Sequence, residues 1–313
     1  MKNTSITGLI SRLRRCISCD LYSYVQSIVR LCRPHEDLHA EQEIIYPGGK
    51  GINVSLVLGN LHIPSKMLGF VAGFTGREIE RLAKINGGDT DFIILDEGCS
   101  RINLKVSADD ETAVNGMGPH IPEEKRQALL AQIDTLKAGD TLVLAGSIPS
   151  DIPDDIYEQI LKRLQDRDIR VVVDATGDLL KNVIKYRPFL IKPNNFELGE
   201  LFSVDLHTDE EIIVCAKQLQ AMGARNVLVS LGGDGALLLG EDGQVYRRQS
   251  PKGTLVNSVG AGDSMVAGFL AGFEASKGDL QEALKMGISA GSASAFHEWL
   301  ATEDDIKEVY ATL

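Results

Sequence analysis

Apolar runs alternate with amphipathic stretches through the second half of the chain. Buried strands are predicted at 141–145, 170–173, 189–191, 226–231 and 236–239. Helices are predicted between them at 122–136, 154–164 and 209–222. The capping box of Thr208 and Glu211 opens the last of these helices, and Gly223 ends it. Strands and helices that alternate through short connections predict an α/β fold, with a parallel sheet and helices on both faces.

The first half of the chain shows a related but less regular pattern. Helices are predicted at 52–61 and 76–85, with a buried strand at 66–72 between them. Two short strands follow at 92–95 and 101–106, and in the second of these apolar residues alternate with polar ones. Such alternation is typical of a sheet with one solvated face. These strands therefore fit either the main sheet or a small β lid.

Residues 1–33 differ in composition from everything that follows. They contain many arginines and three of the five cysteines, and Asp20 is their only acid. This segment does not show the pattern of a buried first strand. The composition changes abruptly near Pro34, after which the chain is acidic.

Length and charge limit the functional classes. A chain of 313 residues with 43% apolar residues has enough length to bury a substantial core, and we interpret 1–313 as one domain. The net charge of −12 argues against nucleic acid as the main partner. An anionic substrate must therefore be held by local cations and backbone N–H groups. No apolar run is long enough for a membrane span and no signal-peptide core is evident, so we expect a cytoplasmic protein.

The cysteines and histidines show no pattern of a metal site. Cys16 and Cys19 form a C-x-x-C, but no second pair completes a zinc site. The six histidines lack metal-ligand spacing. Reduced thiols are the expectation for a cytoplasmic chain.

The most informative stretch is a Gly-rich turn that leads into a helix of small residues. It runs Asn257-Ser258-Val259-Gly260-Ala261-Gly262-Asp263. The first N–H groups of a helix have no intrahelical partner and favour anions. Asp263 would then lie beside an anion-binding pocket, where a carboxylate can accept the proton of a hydroxyl while the amides stabilise a transferred phosphoryl group. The simpler interpretation is that Asp263 only caps the helix.

Three further motifs occur in the order Gly48-Gly49-Lys50-Gly51-Ile52-Asn53, Asn194 with Glu197, and Ser230 with Gly232 and Gly235. Each has a structural alternative. The Gly232–Gly235 turn could be a hairpin, Asn194 and Glu197 could start a helix, and Lys50 could be a solvated charge.

The order of these four motifs resembles the ribokinase (PfkB-type) sugar kinases, from about residue 40 to the C-terminus. This resemblance implies a ribokinase-like fold with a mostly parallel central sheet, helices on both faces and a small β lid from parts of about 34–46 and 90–118. It also implies an ATP- and Mg²⁺-dependent kinase of a sugar phosphate. Within the family the likeness is greatest to kinases that convert fructose 1-phosphate to fructose 1,6-bisphosphate. Tagatose 6-phosphate is the alternative substrate.

The resemblance also implies roles for individual residues. Asp263 matches the general base, and Gly260, Ala261 and Gly262 match the anion hole for the γ-phosphate. The residues that match nucleotide contacts are Lys192, Asn194, Glu197, Ser230, Gly232 and Gly235. Of these, Asn194 and Glu197 match the motif that organises Mg²⁺, through water. The residues that match the sugar-phosphate site are Gly49, Lys50, Asn53, Arg101, Asn103 and Ser147, with Lys105 as a weaker candidate. Relatives dimerise through the lid strands, which implies a homodimer here.

The N-terminal segment departs from the family pattern. Members of the family begin with a strand followed by Asn-Pro-x-x-Asp, whose acid holds sugar hydroxyls, and residues 1–33 contain no Asn-Pro. The chain would then lack a central strand and a substrate acid, and Asp20 is the one acid that could substitute. A non-catalytic nucleotide-binding protein is therefore the competing hypothesis.

Overall fold

The computed structural model describes residues 15–21, 23–31, 40–107, 111–149 and 151–313. A ten-stranded sheet runs through the centre, in the order β14-β13-β12-β11-β10-β9-β1-β4-β5, with β6 also paired to β4. Its strands are β1 (Cys16–Asp20), β4 (Ser65–Ala72), β5 (Asp89–Thr90), β6 (Ile93–Leu95), β9 (Thr141–Ala145), β10 (Arg170–Asp174), β11 (Leu190–Ile191), β12 (Asn226–Ser230), β13 (Ala236–Leu239) and β14 (Val245–Arg248). The pairings are parallel except for those of β12 with β13 and of β13 with β14 at one edge, which are antiparallel.

Helices cover both faces of this sheet. They are α1 (Lys50–Asn60), α2 (Gly73–Ile85), α3 (Glu123–Asp134), α4 (Ile156–Leu164), α5 (Gly177–Ile184), α6 (Asn195–Phe202), α7 (Asp209–Met222), α8 (Ala261–Ala275), α9 (Leu280–Ala295) and α10 (Glu303–Thr312). Alternate residues of β9 show the two faces, because Leu142 and Leu144 pack with α3 to α7 while Val143 packs with α1, α2, α8 and α9. The predicted α/β fold with a mostly parallel sheet is confirmed.

A second sheet of four strands stands apart from the first, in the order β3-β2-β7-β8. Its strands are β2 (Tyr24–Leu31), β3 (Ala40–Gly48), β7 (Arg101–Ser107) and β8 (Glu111–Asn115). This sheet is the small β lid predicted from parts of about 34–46 and 90–118, of which residues 34–39 and 108–110 lie outside the described residues. The short strand at 93–95 pairs with β4 of the main sheet instead.

The hypothesis that the chain lacks a central strand is wrong, because residues 1–33 contain one. Within this segment, β1 lies between β4 and β9 and pairs with both in parallel register. Every residue of β1 is buried, and Ser18 Oγ lies 2.7 Å from Ser55 Oγ of α1, so the polar side chain is satisfied inside the core. Cys16 and Cys19 contribute to the cores on opposite faces of the sheet and cannot bind one metal together.

Among the described residues, no helix is both long and apolar enough to cross a bilayer.

Candidate active site

Asp263 lies in the first turn of α8, directly after the Gly-rich turn. The cap residue Gly260 has a φ of 80°, a left-handed backbone conformation that favours glycine. A Cβ there would lie 2.7 Å from Leu300 Cδ2, so the leucine side chain would have to move. The Asp263 side chain is buried, and its Oδ2 accepts a 2.8 Å hydrogen bond from Asn53 Nδ2 of α1. Two predicted motifs far apart in sequence therefore meet at this carboxylate.

The pKa of Asp263 is raised to about 6, first by burial and then by the negative charge of Asp174. Lys50, Asn53 and Lys192 oppose this shift. A carboxylate with a pKa close to neutrality is suited to accept a proton at physiological pH.

Asp174, which the sequence analysis did not identify, joins the two lysines of the site. Its Oδ1 lies 3.2 Å from Lys50 Nζ and 3.6 Å from Lys192 Nζ. Burial by itself would raise the pKa of Asp174, but Lys192 and Lys50 outweigh burial and hold that pKa below its usual range. The signal that could have found it is its place at the end of an apolar strand, at the carboxyl edge where ligands bind in such sheets.

Asp20, at the end of β1, supports the Gly48–Asn53 turn. Its Oδ2 accepts a 3.1 Å hydrogen bond from the Gly51 backbone N–H. A Cβ on Gly49 would lie 2.1 Å from the same oxygen, and Gly49 has a φ of 139°, so no other residue fits there without strain. The buried Asp20 carboxylate therefore lies at the start of α1, close to the predicted sugar-binding turn.

Two of the predicted nucleotide residues lie at the start of α6. Asn194 and Glu197 form a reciprocal capping box at the start of α6, with two hydrogen bonds of 2.8 Å. The two residues therefore do start a helix, as the structural alternative predicted. A role in ligand binding is still possible for both, because they also line a cavity together with Asp263. Lys192 Nζ would lie only 3.2 Å from a Cβ on Gly262, so its charge reaches the start of α8.

A cavity of about 460 Å³ brings most of the predicted residues together. Its walls include Lys50, Asn53, Asn103, Lys105, Lys192, Asn194, Glu197, Ser230, Gly260, Gly262 and Asp263. They also include Tyr24, Gln26, Asn115, Asp174 and Val259, none of which was predicted to be a site residue. The cavity thus lies between the lid sheet and the carboxyl edge of the main sheet.

Six predicted residues are not among these walls. Gly49 caps α1 directly before Lys50, and Ala261 is the first residue of α8. Ser147 lines an adjoining cavity of about 600 Å³, which shares Lys50, Asp174 and Glu197 with the first. Arg101 stacks on the Tyr24 ring, with its Cζ 4.9 Å from the ring centroid. Gly232 and Gly235 belong to a 3-10 turn that joins the antiparallel strands β12 and β13. This turn is therefore the hairpin that was the structural alternative to a nucleotide contact.

Comparisons with known proteins show the family of the chain. The family model for pfkB family carbohydrate kinases matches residues 16–303, beginning inside the segment of unusual composition. A 1-phosphofructokinase of Bacillus subtilis is 47% identical over 264 residues, covering 84% of this chain and 86% of that protein. A D-tagatose-1-phosphate kinase of Bacillus licheniformis is 37% identical over 261 residues, covering 83% and 85%.

The fold has a solved counterpart in phosphofructokinase-2 from Escherichia coli, in complex with substrates and products. The TM-score is 0.89 at 26% identity, covering 95% of this chain and 98% of that one. The fold and the site define an enzyme of the phosphotransferase class. With the family model matching most of its length, the chain belongs to the pfkB family of carbohydrate kinases.

Proposed function

We propose that this enzyme transfers the γ-phosphoryl group of ATP to fructose 1-phosphate, giving fructose 1,6-bisphosphate, with Asp263 as the general base. The names of several relatives support the substrate, among them the Bacillus subtilis 1-phosphofructokinase. The observation that carries the chemistry is the buried Asp263 carboxylate at the start of α8, held by Asn53 at 2.8 Å.

Proton transfer is the step that Asp263 would perform. The hydroxyl of the sugar phosphate would enter the cavity beside this carboxylate and give up its proton as its oxygen attacks the γ-phosphorus of ATP. The bond from that phosphorus to the bridging oxygen breaks, and ADP leaves. Asn53 donates to Oδ2 and so fixes the orientation of the carboxylate. With a pKa of about 6, Asp263 is mostly ionised at neutral pH and ready to accept.

Charge stabilisation would come from the start of α8 and from the two lysines. The backbone N–H groups of Gly260, Ala261 and Gly262 lie at the start of the helix, where an anion is favoured. That of Ala261 donates a 3.3 Å hydrogen bond to the Ser258 carbonyl, which a bound phosphate would have to replace. Lys50 and Lys192 add positive charge on the same side of the cavity. Phosphoryl transfer requires mainly positioning and electrostatic stabilisation from a protein, and these groups can provide both.

The nucleotide phosphates would lie along Lys192, Asn194, Glu197 and Ser230, with Gly232 and Gly235 shaping the turn beyond. The oxygen atoms of Asn194 and Glu197 fit Mg²⁺ held through water. The capping box uses Oε2 of Glu197, and Oε1 of the same carboxylate takes no part in that box. Mg²⁺ prefers oxygen ligands and keeps several waters. When bound, it would neutralise part of the phosphate charge.

The sugar phosphate would occupy the turn at Gly49, Lys50 and Asn53 and the lid residue Asn103. Arg101 and Ser147 are the candidates for its existing phosphate, because a guanidinium pairs with two phosphate oxygens. Lys105 remains a weaker candidate in the cavity wall. The lid sheet would also join two copies of the chain in a homodimer.

Two alternatives lead to different outcomes in one assay. A tagatose phosphate is the second substrate candidate, and the relative from Bacillus licheniformis is named for the 1-phosphate rather than the 6-phosphate predicted from the sequence. The non-catalytic hypothesis rested on a missing central strand and a missing substrate acid. β1 fills the position of the strand, and Asp20 at its end is the candidate for the acid.

The assay measures ADP release with Mg-ATP and one sugar phosphate at a time. Fructose 1-phosphate, tagatose 1-phosphate, tagatose 6-phosphate and fructose 6-phosphate are compared with a reaction that contains no sugar. We expect the highest kcat/KM with fructose 1-phosphate. A higher value for either tagatose phosphate would move the proposal to that substrate, and ATP binding without turnover on any of them would refute it.

A further inference from the structure

Tyr24 is part of the cavity wall, although no motif pointed to it. It is the first residue of β2, where the lid sheet meets the main sheet. Its side chain shares the cavity with Asp263, Asn53 and Asn103. A large aromatic side chain next to the proposed base must contact, or exclude, whatever binds there.

The Tyr24 ring is fixed in its position by its two neighbouring strands. Tyr24 pairs with Gly48 of β3 and with Arg101 of β7. A Cβ on Gly48 would lie 2.2 Å from the ring atom Cε2, so the ring packs directly on the glycine backbone. The Arg101 guanidinium lies over the ring, 4.9 Å from its centroid, a geometry that favours a cation–π contact.

The phenol is held in its neutral form. Burial, followed by the charges of Asp263 and Asp20, raises the pKa of Tyr24 well above its usual value. Tyr24 therefore keeps its proton at every pH at which the enzyme would work. It provides a hydrogen-bond donor without adding a further negative charge near Asp20, Asp174 and Asp263, which suits a substrate that already carries a phosphate.

The neighbouring Asn103 adds a second polar side chain to the same wall. Asn103 lies two residues after Arg101 on β7 and is paired with Gln26 of β2. Its Oδ1 is buried and has no hydrogen-bond partner among the described residues. A buried acceptor without a partner is costly, and a hydroxyl donor from a bound sugar would satisfy it.

We propose that Tyr24 is a specificity-determining residue for the sugar phosphate. Its phenol hydroxyl donates to a sugar hydroxyl next to the reacting one, and its ring holds the Arg101 guanidinium in place for the phosphate. Asn103 accepts from a second sugar hydroxyl. This inference rests on the proposed function and assigns a ligand contact to a residue outside the motifs of the family.

The test compares Tyr24→Phe with wild type and with a matched control, Tyr46→Phe. Tyr46 belongs to the same lid sheet, but its ring stacks on Trp299 at 4.7 Å. In Tyr24→Phe, loss of one neutral hydrogen bond should raise KM for fructose 1-phosphate by about 3- to 10-fold. KM for ATP and the thermal midpoint should stay unchanged, and Tyr46→Phe should behave as wild type.

Several results would overturn the inference. An unchanged KM for fructose 1-phosphate in Tyr24→Phe would remove the proposed contact. A parallel change of both KM values with a lower thermal midpoint would make Tyr24 a packing residue. If wild type turns over none of the sugar phosphates, the proposed function itself fails. In that case calorimetry measures the affinity of wild type and of Tyr24→Phe for fructose 1-phosphate. Equal affinities, or no binding to either protein, would refute this inference.

Discussion

The substitution Asp174→Asn tests how the buried charges of the site are balanced. In the wild type one carboxylate serves two lysines, with distances of 3.2 Å to Lys50 Nζ and 3.6 Å to Lys192 Nζ. Asparagine keeps the shape of the side chain and removes its charge. Both ammonium groups would then lose their nearest counter-charge, next to a proposed phosphate site.

The size of the effect depends on how exposed each lysine is. The Lys192 side chain is 6% exposed, whereas that of Lys50 is 37% exposed. Lys50 can be hydrated once its partner is gone, so its contribution is small. Lys192 cannot be hydrated, because its side chain is buried. A buried charge that loses its partner typically costs about 3–5 kcal/mol, so we expect Asp174→Asn to lower the free energy of unfolding by about 3 kcal/mol.

Urea denaturation at pH 7 measures this loss, with Asp178→Asn as the matched control. Asp178 lines the adjoining cavity and pairs with Lys181 at 3.5 Å, but its side chain is 92% exposed. Loss of this surface pair should cost about 0.2–1 kcal/mol. Equal stability losses in the two variants would refute the view that Asp174 compensates a buried lysine.

Two further predictions concern the base and the nucleotide. Because Asp263 must be ionised to accept a proton, kcat/KM of the wild type should fall below about pH 6. The variant Asp174→Asn lacks the negative charge that helps to raise the pKa of Asp263, so in this variant kcat/KM should fall at a lower pH. A fall at a higher pH would contradict the assignment of Asp263 as the base. Asn194→Ala and Thr208→Ala each remove a capping box and should each cost about 1 kcal/mol of stability. Only Asn194→Ala should also weaken ATP binding by calorimetry, and equal ATP affinities would leave Asn194 as a cap alone.

The regular part of the fold was predictable because the local signals agreed. The strand at 141–145 matches β9 to the residue, and Thr208 caps α7 through Glu211 as predicted. In these segments the hydrophobic period, the caps and the turns all favour the same element. The order of the four motifs also sufficed to identify the family.

β1 was missed because its stability comes from its neighbours. Cys16–Asp20 is short and contains Ser18, which is buried only because Ser55 of α1 lies opposite. The strand β1 lies between β4 and β9 and is buried on both faces. Its sequence therefore does not have to alternate between apolar and polar residues. Helices α9 and α10 also went unpredicted.

Asp174 was missed because its role depends on register. Asp20, Ala145 and Asp174 lie side by side across three parallel strands, and this row brings the carboxylates to one edge. Nothing in the local sequence indicates which strands are adjacent. The cation–π contact of Arg101 with Tyr24 likewise follows from the pairing of β2 with β7.

The central claim is that Asp263 is the base of a sugar-phosphate kinase, and Asp263→Asn tests it most directly. The measurement is ADP release with Mg-ATP and fructose 1-phosphate at pH 8, alongside ATP binding by calorimetry. Burial raises the pKa of Asp263 to about 6, so at pH 8 its ionised form lowers the stability of the fold. The neutral asparagine should therefore leave the variant at least as stable as wild type.

The account predicts that kcat falls by about 10²- to 10⁴-fold, the range for loss of a general base, while ATP affinity stays within about twofold. Turnover close to that of wild type, from a folded variant that still binds ATP, would contradict the assignment of Asp263 as the base.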